Sequence, residues 1–144
     1  MQVFYLNSEE PSCLGRVFDS LQIRLEYRLV SDMKKIIFHI AGTGGVPNLP
    51  YARRLKNVKG AFYEIRIKYL RGQLIRIYYF VDKINNQMIL LNTVIKPDGA
   101  SNAGKYSGRS KLKIEKDIKI SIELAFEIKK NYYFNSKNYV LLTR

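Results

Sequence analysis

The chain has 144 residues, 47% of them hydrophobic and 12% aromatic. That composition suits one domain with a core of its own rather than a scaffold held by disulfides or metals. Twenty-five lysines and arginines against twelve acidic residues give a net charge of +13 and a pI near 9.9, so a polyanionic partner is expected, nucleic acid foremost. The single cysteine, Cys13, excludes an internal disulfide and a thiolate zinc cluster, and the single histidine, His39, excludes any mechanism that needs two imidazoles.

Residues 2–7, "QVFYLN", read as a short strand. The N-terminus lacks the basic-then-apolar layout of a signal peptide, and no run approaches the roughly 18 apolar residues of a membrane span. A cytoplasmic protein with no membrane partner is therefore expected. From Phe18 onward, Leu21, Leu25, Leu29, Met33, Ile36, Ile37 and Ile40 recur at helical steps. Ser31–Asp32 would serve as an N-cap, so the stretch is one long helix or an antiparallel pair broken near residue 31. His39 falls late in this stretch and is assigned a structural role at a helix end, and Cys13 is expected to be a semi-exposed spectator thiol.

The glycine-rich segment 41–50, "AGTGGVPNLP", follows a helix and precedes strands, which makes it a helix C-cap and connector rather than a phosphate loop. Strands are expected over 61–69, 74–82 and 87–95. Residues 97–111 carry glycine, serine and lysine without apolar period and read as a flexible basic loop. Within it, "GASNAGK" at 99–105 matches the spacing of a nucleotide-binding P-loop, but Tyr106 stands where the magnesium-binding hydroxyl belongs, so the match is dismissed. Residues 112–132 form a helix with Ile114, Ile118, Ile122, Ala125, Ile128 and Tyr132 on one face. The tail from Phe134 frays or adds an edge strand.

The hairpin "YEIRIKYLRGQLIRIYYF", residues 63–80, carries the functional signal. A three-residue loop, Leu70-Arg71-Gly72, places glycine where a left-handed residue is needed. This register sets Tyr63, Ile65 and Ile67 opposite Tyr79, Ile77 and Ile75, an apolar face for the helices. Phe62, Glu64, Arg66 and Lys68 then lie opposite Phe80, Tyr78, Arg76 and Leu74 on an open, basic, aromatic-edged face. Like charges directly across a strand pair destabilise it. Arg66 opposite Arg76 is explained either by Glu64, which lies diagonal to Arg76, or by a phosphate held between the guanidiniums, with Tyr78, Phe62 and Phe80 stacking on bases.

Leu55, Lys56 and Gly60 lead into Glu64-x-Arg66, then Arg76-Ile77-x-Tyr79-Phe80, then a strand ending at Lys96. This pattern resembles the RelE/HigB-like toxin superfamily of type II toxin–antitoxin systems, in its phage-derived branch. The resemblance implies an α+β fold with a twisted antiparallel sheet, an N-terminal helix or helix pair and a C-terminal helix, in one domain over 1–144. It implies a metal-independent mRNA endoribonuclease without cofactor, acting on the ribosome and restrained by a cognate antitoxin. Arg66 and Arg76 would stabilise the reacting phosphate, Lys96 would carry a proton, and Tyr132 or Tyr133 would orient a base or assist proton transfer. Lys68, Tyr78, Lys105, Arg109 and Lys111 would contact RNA. Pro97 and the long insertion after Lys96 depart from the family pattern, so Lys105, Arg109, Lys111 or Lys113 are alternatives for the proton carrier. Two further readings are a ParE-like toxin that acts on gyrase without cutting nucleic acid, and a non-catalytic basic nucleic-acid-binding protein.

Overall fold

A computed structural model describes residues 1–46, 50–56, 60–98 and 105–144. It is an α+β protein in which a mixed six-stranded sheet carries helices on both faces. In chain order the elements are β1 (Gln2–Leu6), α1 (Leu14–Ile23), α2 (Tyr27–Gly42), β2 (Ala52–Arg54), β3 (Tyr63–Lys68), β4 (Gln73–Asp82), β5 (Gln87–Pro97), α3 (Gly108–Lys130) and β6 (Tyr139–Leu141). The strand order is β2-β3-β4-β5-β1-β6.

The β3–β4 hairpin has the expected register, with Arg66 opposite Arg76 and Lys68 opposite Leu74. The turn closes through Tyr69 N–H donating to Gln73 O at 2.9 Å, with Arg71 and Gly72 both in the left-handed region at φ 58° and 70°. Glycine at the second of these positions removes the steric cost there. The 41–50 segment begins as the expected helix end: the Thr43 hydroxyl and the Gly45 N–H both donate to Ile40 O. Pro47, Asn48 and Leu49 lie outside the described residues.

Several expectations are corrected. The sheet is not wholly antiparallel, because β1 pairs in parallel with β5. The period-2 pattern of a strand records its faces but not its neighbour, so this pairing left no local trace. The helix break falls at residues 24–26, where Leu25 takes φ 59°, while Ser31 and Asp32 lie inside α2. The apolar period runs through the break because both helices bury toward the same sheet face: Phe18, Leu21, Met33, Ile37 and Ile40 share one core with Ile65, Ile75, Ile77, Tyr79 and Leu90. β2 was not anticipated, since three residues are too few to show an alternation. Cys13 is fully buried rather than semi-exposed.

The expected loop over 97–111 is shortened at both ends. Pro97 closes β5 and α3 already begins at Gly108, so 108–111 are helical. The stretch 99–104, including the P-loop look-alike up to its lysine, lies outside the described residues. The tail supplies the edge strand β6, antiparallel to β1. Beyond it Leu142 tucks into the helix-pair core, and its N–H donates to Val3 O at 2.8 Å.

The face expected to be open is the second core. α3 lies across β4 and β5, and the small side chain of Ala125 lets it approach Phe62, Tyr78, Phe80, Ile89 and Leu91 closely. Among the described residues no helix is long and apolar enough to cross a membrane. The tail's role yields a prediction. Leu142→Ala leaves a void between β1 and the helix pair and should cost about 3 kcal/mol of stability, read as a lower urea midpoint at unchanged slope.

Candidate functional site

Glu64 organises the cationic end of the sheet. It points toward the α3 side of β3 and is fully buried. Its Oε1 lies 3.1 Å from Arg53 Nε, which donates a hydrogen bond to it, and 3.3 Å from Arg66 Nε in an ion pair. Arg53 reaches Glu64 because β2 places them directly opposite each other. A buried carboxylate is tolerated only when paired, and here one oxygen serves two guanidiniums that remain 49% and 32% exposed. Of the two accounts of the facing arginines, the one that has Glu64 neutralise Arg76 is modified: its ion pairs go to Arg53 and Arg66, and it acts on Arg76 through its field.

Arg76 shares the face of Arg66 and is only 5% exposed. Its Nη1 donates to Lys96 O at 3.3 Å. Burial lowers its pKa and Arg66 adds repulsion, while the fields of Glu64, Tyr78 and Asp98 oppose the shift. Three guanidiniums set against Glu64 and Asp98, with Lys96 balanced by Asp117, leave the cluster net positive. It can hold an anion at its exposed side, where Arg53 and Arg66 present their guanidiniums, with Arg76 as a buried charge behind them.

Lys96 of β5 stands on the same face, opposite Leu74 of β4, and its Nζ contacts Asp117 Oδ2 of α3 at 2.8 Å. The hydrogen bond from Lys96, helped by the fields of Lys113 and Lys116, holds the Asp117 carboxyl below the usual carboxylate range. Tyr78 lies deeper under the same helix. The Ser121 hydroxyl donates its one proton to Ile118 O at 2.6 Å, so the Tyr78 hydroxyl, 3.0 Å from Ser121 Oγ, is the donor to serine. Burial pushes the Tyr78 pKa up to about 12.

The structure therefore brings together Arg66, Arg76 and Lys96, with Lys68 exposed at the end of β3. It does not set Tyr78, Tyr132 or Tyr133 beside them on an accessible surface. Tyr78 is fully buried and cannot stack on a base, which removes it as an RNA contact. Phe62 and Phe80 are likewise buried, with Lys129 Nζ 5.9 and 5.2 Å from their ring centres. Tyr132 packs edge-on against Phe80 and Tyr139, and its hydroxyl donates to Gln87 Oε1 at 3.4 Å. Gln87 pairs with Asp82, six residues along β4 from Arg76 and roughly 20 Å away at the rise of a strand. Tyr132 and the exposed Tyr133 thus belong to the opposite end of the sheet. α3 runs antiparallel to β5, and this separates its N-terminal Asp117 from its C-terminal tyrosines.

Lys105, Arg109 and Lys111 are exposed just before and within the first turn of α3. Arg53 is not among the residues the sequence singles out; its one local signal is the short "ARR" run ahead of the hairpin, whose pairing only the tertiary structure reveals. His39 occupies the last turn of α2 with its ring edge-on to Tyr51, in keeping with a helix-end role. Among the described residues no group of three or more His, Cys, Asp or Glu could hold a metal ion.

Two outcomes follow. Glu64→Gln leaves Arg53 and Arg66 without their counter-charge and should cost about 3 kcal/mol, the low end for a broken buried pair because both arginines can rehydrate; chemical denaturation measures it. In a carbon-detected NMR titration the Asp117 carboxyl should titrate below 3.8 and move up in Lys96→Met. Since the folded value is depressed, the ion pair contributes above the ordinary carboxylate range, and its contribution fades as pH falls through the folded value.

Comparison with protein-family models, with curated protein sequences and with solved structures gives no match for this chain, and the site rests on its own chemistry.

Proposed function

We propose that this protein is a RelE/HigB-like toxin that cleaves mRNA without a metal ion, on the ribosome. The observation that carries the reading is the arginine cluster: Arg66 beside Arg76 on one sheet face, joined by Arg53 around a single buried carboxylate, in a chain of net charge +13. Support also comes from the α+β class of the fold, with a helix pair after the first strand and a helix near the C-terminus, although the sheet is mixed and α3 covers the face expected to be open.

In the proposed reaction the RNA 2′-hydroxyl gives its proton to solvent water as its oxygen attacks the adjacent phosphorus. The new O–P bond forms as the bond to the 5′-oxygen breaks, leaving a 2′,3′-cyclic phosphate and a 5′-hydroxyl. Charge accumulates on the non-bridging oxygens, and Arg66, the exposed member of the pair, donates to them while Arg76 adds its field from behind. Lys96, held toward the face by Asp117, is the group assigned to protonate the departing 5′-oxygen. The proposed antitoxin contributes an acidic segment that folds over the cationic face.

A second reading, a basic RNA-binding protein that cuts nothing, is favoured by two observations: Lys96 is engaged in an ion pair, and Tyr132 and Tyr133 stand far from the arginines. Both readings predict salt-sensitive RNA binding, and only the first predicts strand scission.

The test is a translating ribosome extract given the native protein, Arg66→Ala or Arg76→Ala, with mRNA ends mapped by primer extension. Discrete new ends that fall about 100-fold in Arg66→Ala, with RNA binding largely kept, are the expected result. Intact mRNA with the native protein rejects the nuclease reading.

A further inference from the structure

β2 covers only the first half of β3. Its last contact is the Arg66 N–H donating to Tyr51 O at 2.7 Å, and the edge beyond, at Ile67 and Lys68, is uncovered by it. A cavity of about 550 Å³ wraps around this edge, within the size range of small-ligand sites. One wall is apolar, from Ile36 of α2 and Ile67, and the Tyr51 ring lines it too. Its polar lining has both signs. Arg66 and Lys68 bring positive charge from the cluster, and Asp32 and Asp98 bring carboxylates.

Those carboxylates discriminate between occupants. The chain has only twelve acidic residues, and two of them line the cavity that opens onto its arginine cluster. Asp98 acts on Arg76 as well, which ties the cavity to the cluster. A bare phosphate would be repelled by them. A ligand that fits must offer an anion to Arg66 and Lys68 and hydrogen-bond donors to a carboxylate, around a flat apolar body. A nucleotide has that combination. Among the RNA bases only guanine carries two adjacent donors, N1–H and the 2-amino group, on its Watson–Crick edge, and a carboxylate accepts both in parallel. Adenine and cytosine put an acceptor next to their amino group, and uracil flanks its one donor with two acceptors.

We propose that this cavity is a guanine pocket adjoining the RNA site, with Asp98 and Asp32 reading the donor edge, Tyr51 against the base face, and Arg66 and Lys68 on the flanking phosphate. The inference rests on reading the arginine cluster as an RNA site, and it adds base selectivity to that reading.

The experiment uses uridine heptamers with 2′-fluoro sugars, which lack the nucleophilic hydroxyl and so cannot be cleaved. Each carries one central guanosine, inosine or adenosine, and binding is measured by fluorescence anisotropy. Guanosine should bind about tenfold more tightly than inosine, which lacks the 2-amino donor, and about 100-fold more tightly than adenosine, which turns an acceptor to the carboxylate. In the double variant Asp32→Asn, Asp98→Asn the preference should collapse to about threefold or less, with adenosine binding kept or improved because a negative wall is gone. Equal affinity of the native protein for the three oligonucleotides overturns the pocket, as does a preference that survives the double variant. The result separates from the nuclease test. Guanine preference with intact mRNA keeps the pocket and removes the nuclease; cleavage without base preference does the reverse.

Discussion

The cationic end of this protein depends on one buried carboxylate. Glu64 sits in β3 between the buried Phe62 and the cationic Arg66 on the α3 face of the sheet, and a single oxygen of it meets two guanidiniums at 3.1 and 3.3 Å. Because the carboxylate is buried while the guanidiniums reach solvent, the pairing compensates a desolvated charge and places a negative group beside the like-charged Arg66 and Arg76. Arginine suits this role, because its planar head holds one carboxylate with one edge and keeps further donors for a ligand.

α3 sets what the cluster presents. By packing Ala125 and its neighbours over Tyr78, Phe62 and Phe80, the helix turns an aromatic face that could have stacked on bases into a second core. The burial that removes these rings also holds Arg76 in an environment that disfavours its charge, tolerated because Glu64 and Asp98 stand close. The accessible cationic surface is thereby displaced from the middle of the sheet to the end of β3, where Arg66, Lys68 and the neighbouring cavity lie. The Lys96–Asp117 ion pair ties the N-terminal half of α3 to the same end, and the close packing of Ser121 on Tyr78 and Asn92 continues that attachment inward.

The remaining architecture stabilises this arrangement from the other face. The helix pair buries Met33, Ile37 and Ile40 on the apolar side of the hairpin, so a one-residue slip of β3 against β4 would bring Arg66 into that core. The tail, with no expected function, completes the sheet through β6 and the core through Leu142.

The hairpin register and the two-faced alternation of β3 and β4 were legible in the amino-acid sequence, because they depend on a turn of three residues and a period of two, both local. The helical stripes and the helix end near Thr43 were legible for the same reason. What only the tertiary structure decided is which segments meet: β1 in parallel with β5, Arg53 across from Glu64, Asp117 on Lys96, and α3 over the face that the hairpin pattern alone left open. The period of a strand or helix says which side seeks cover but not what covers it. The candidate site divides along that line, with Arg66 and Arg76 placed by local pairing, and Arg53, Asp117 and the displacement of Tyr132 set by contacts between segments far apart in the chain.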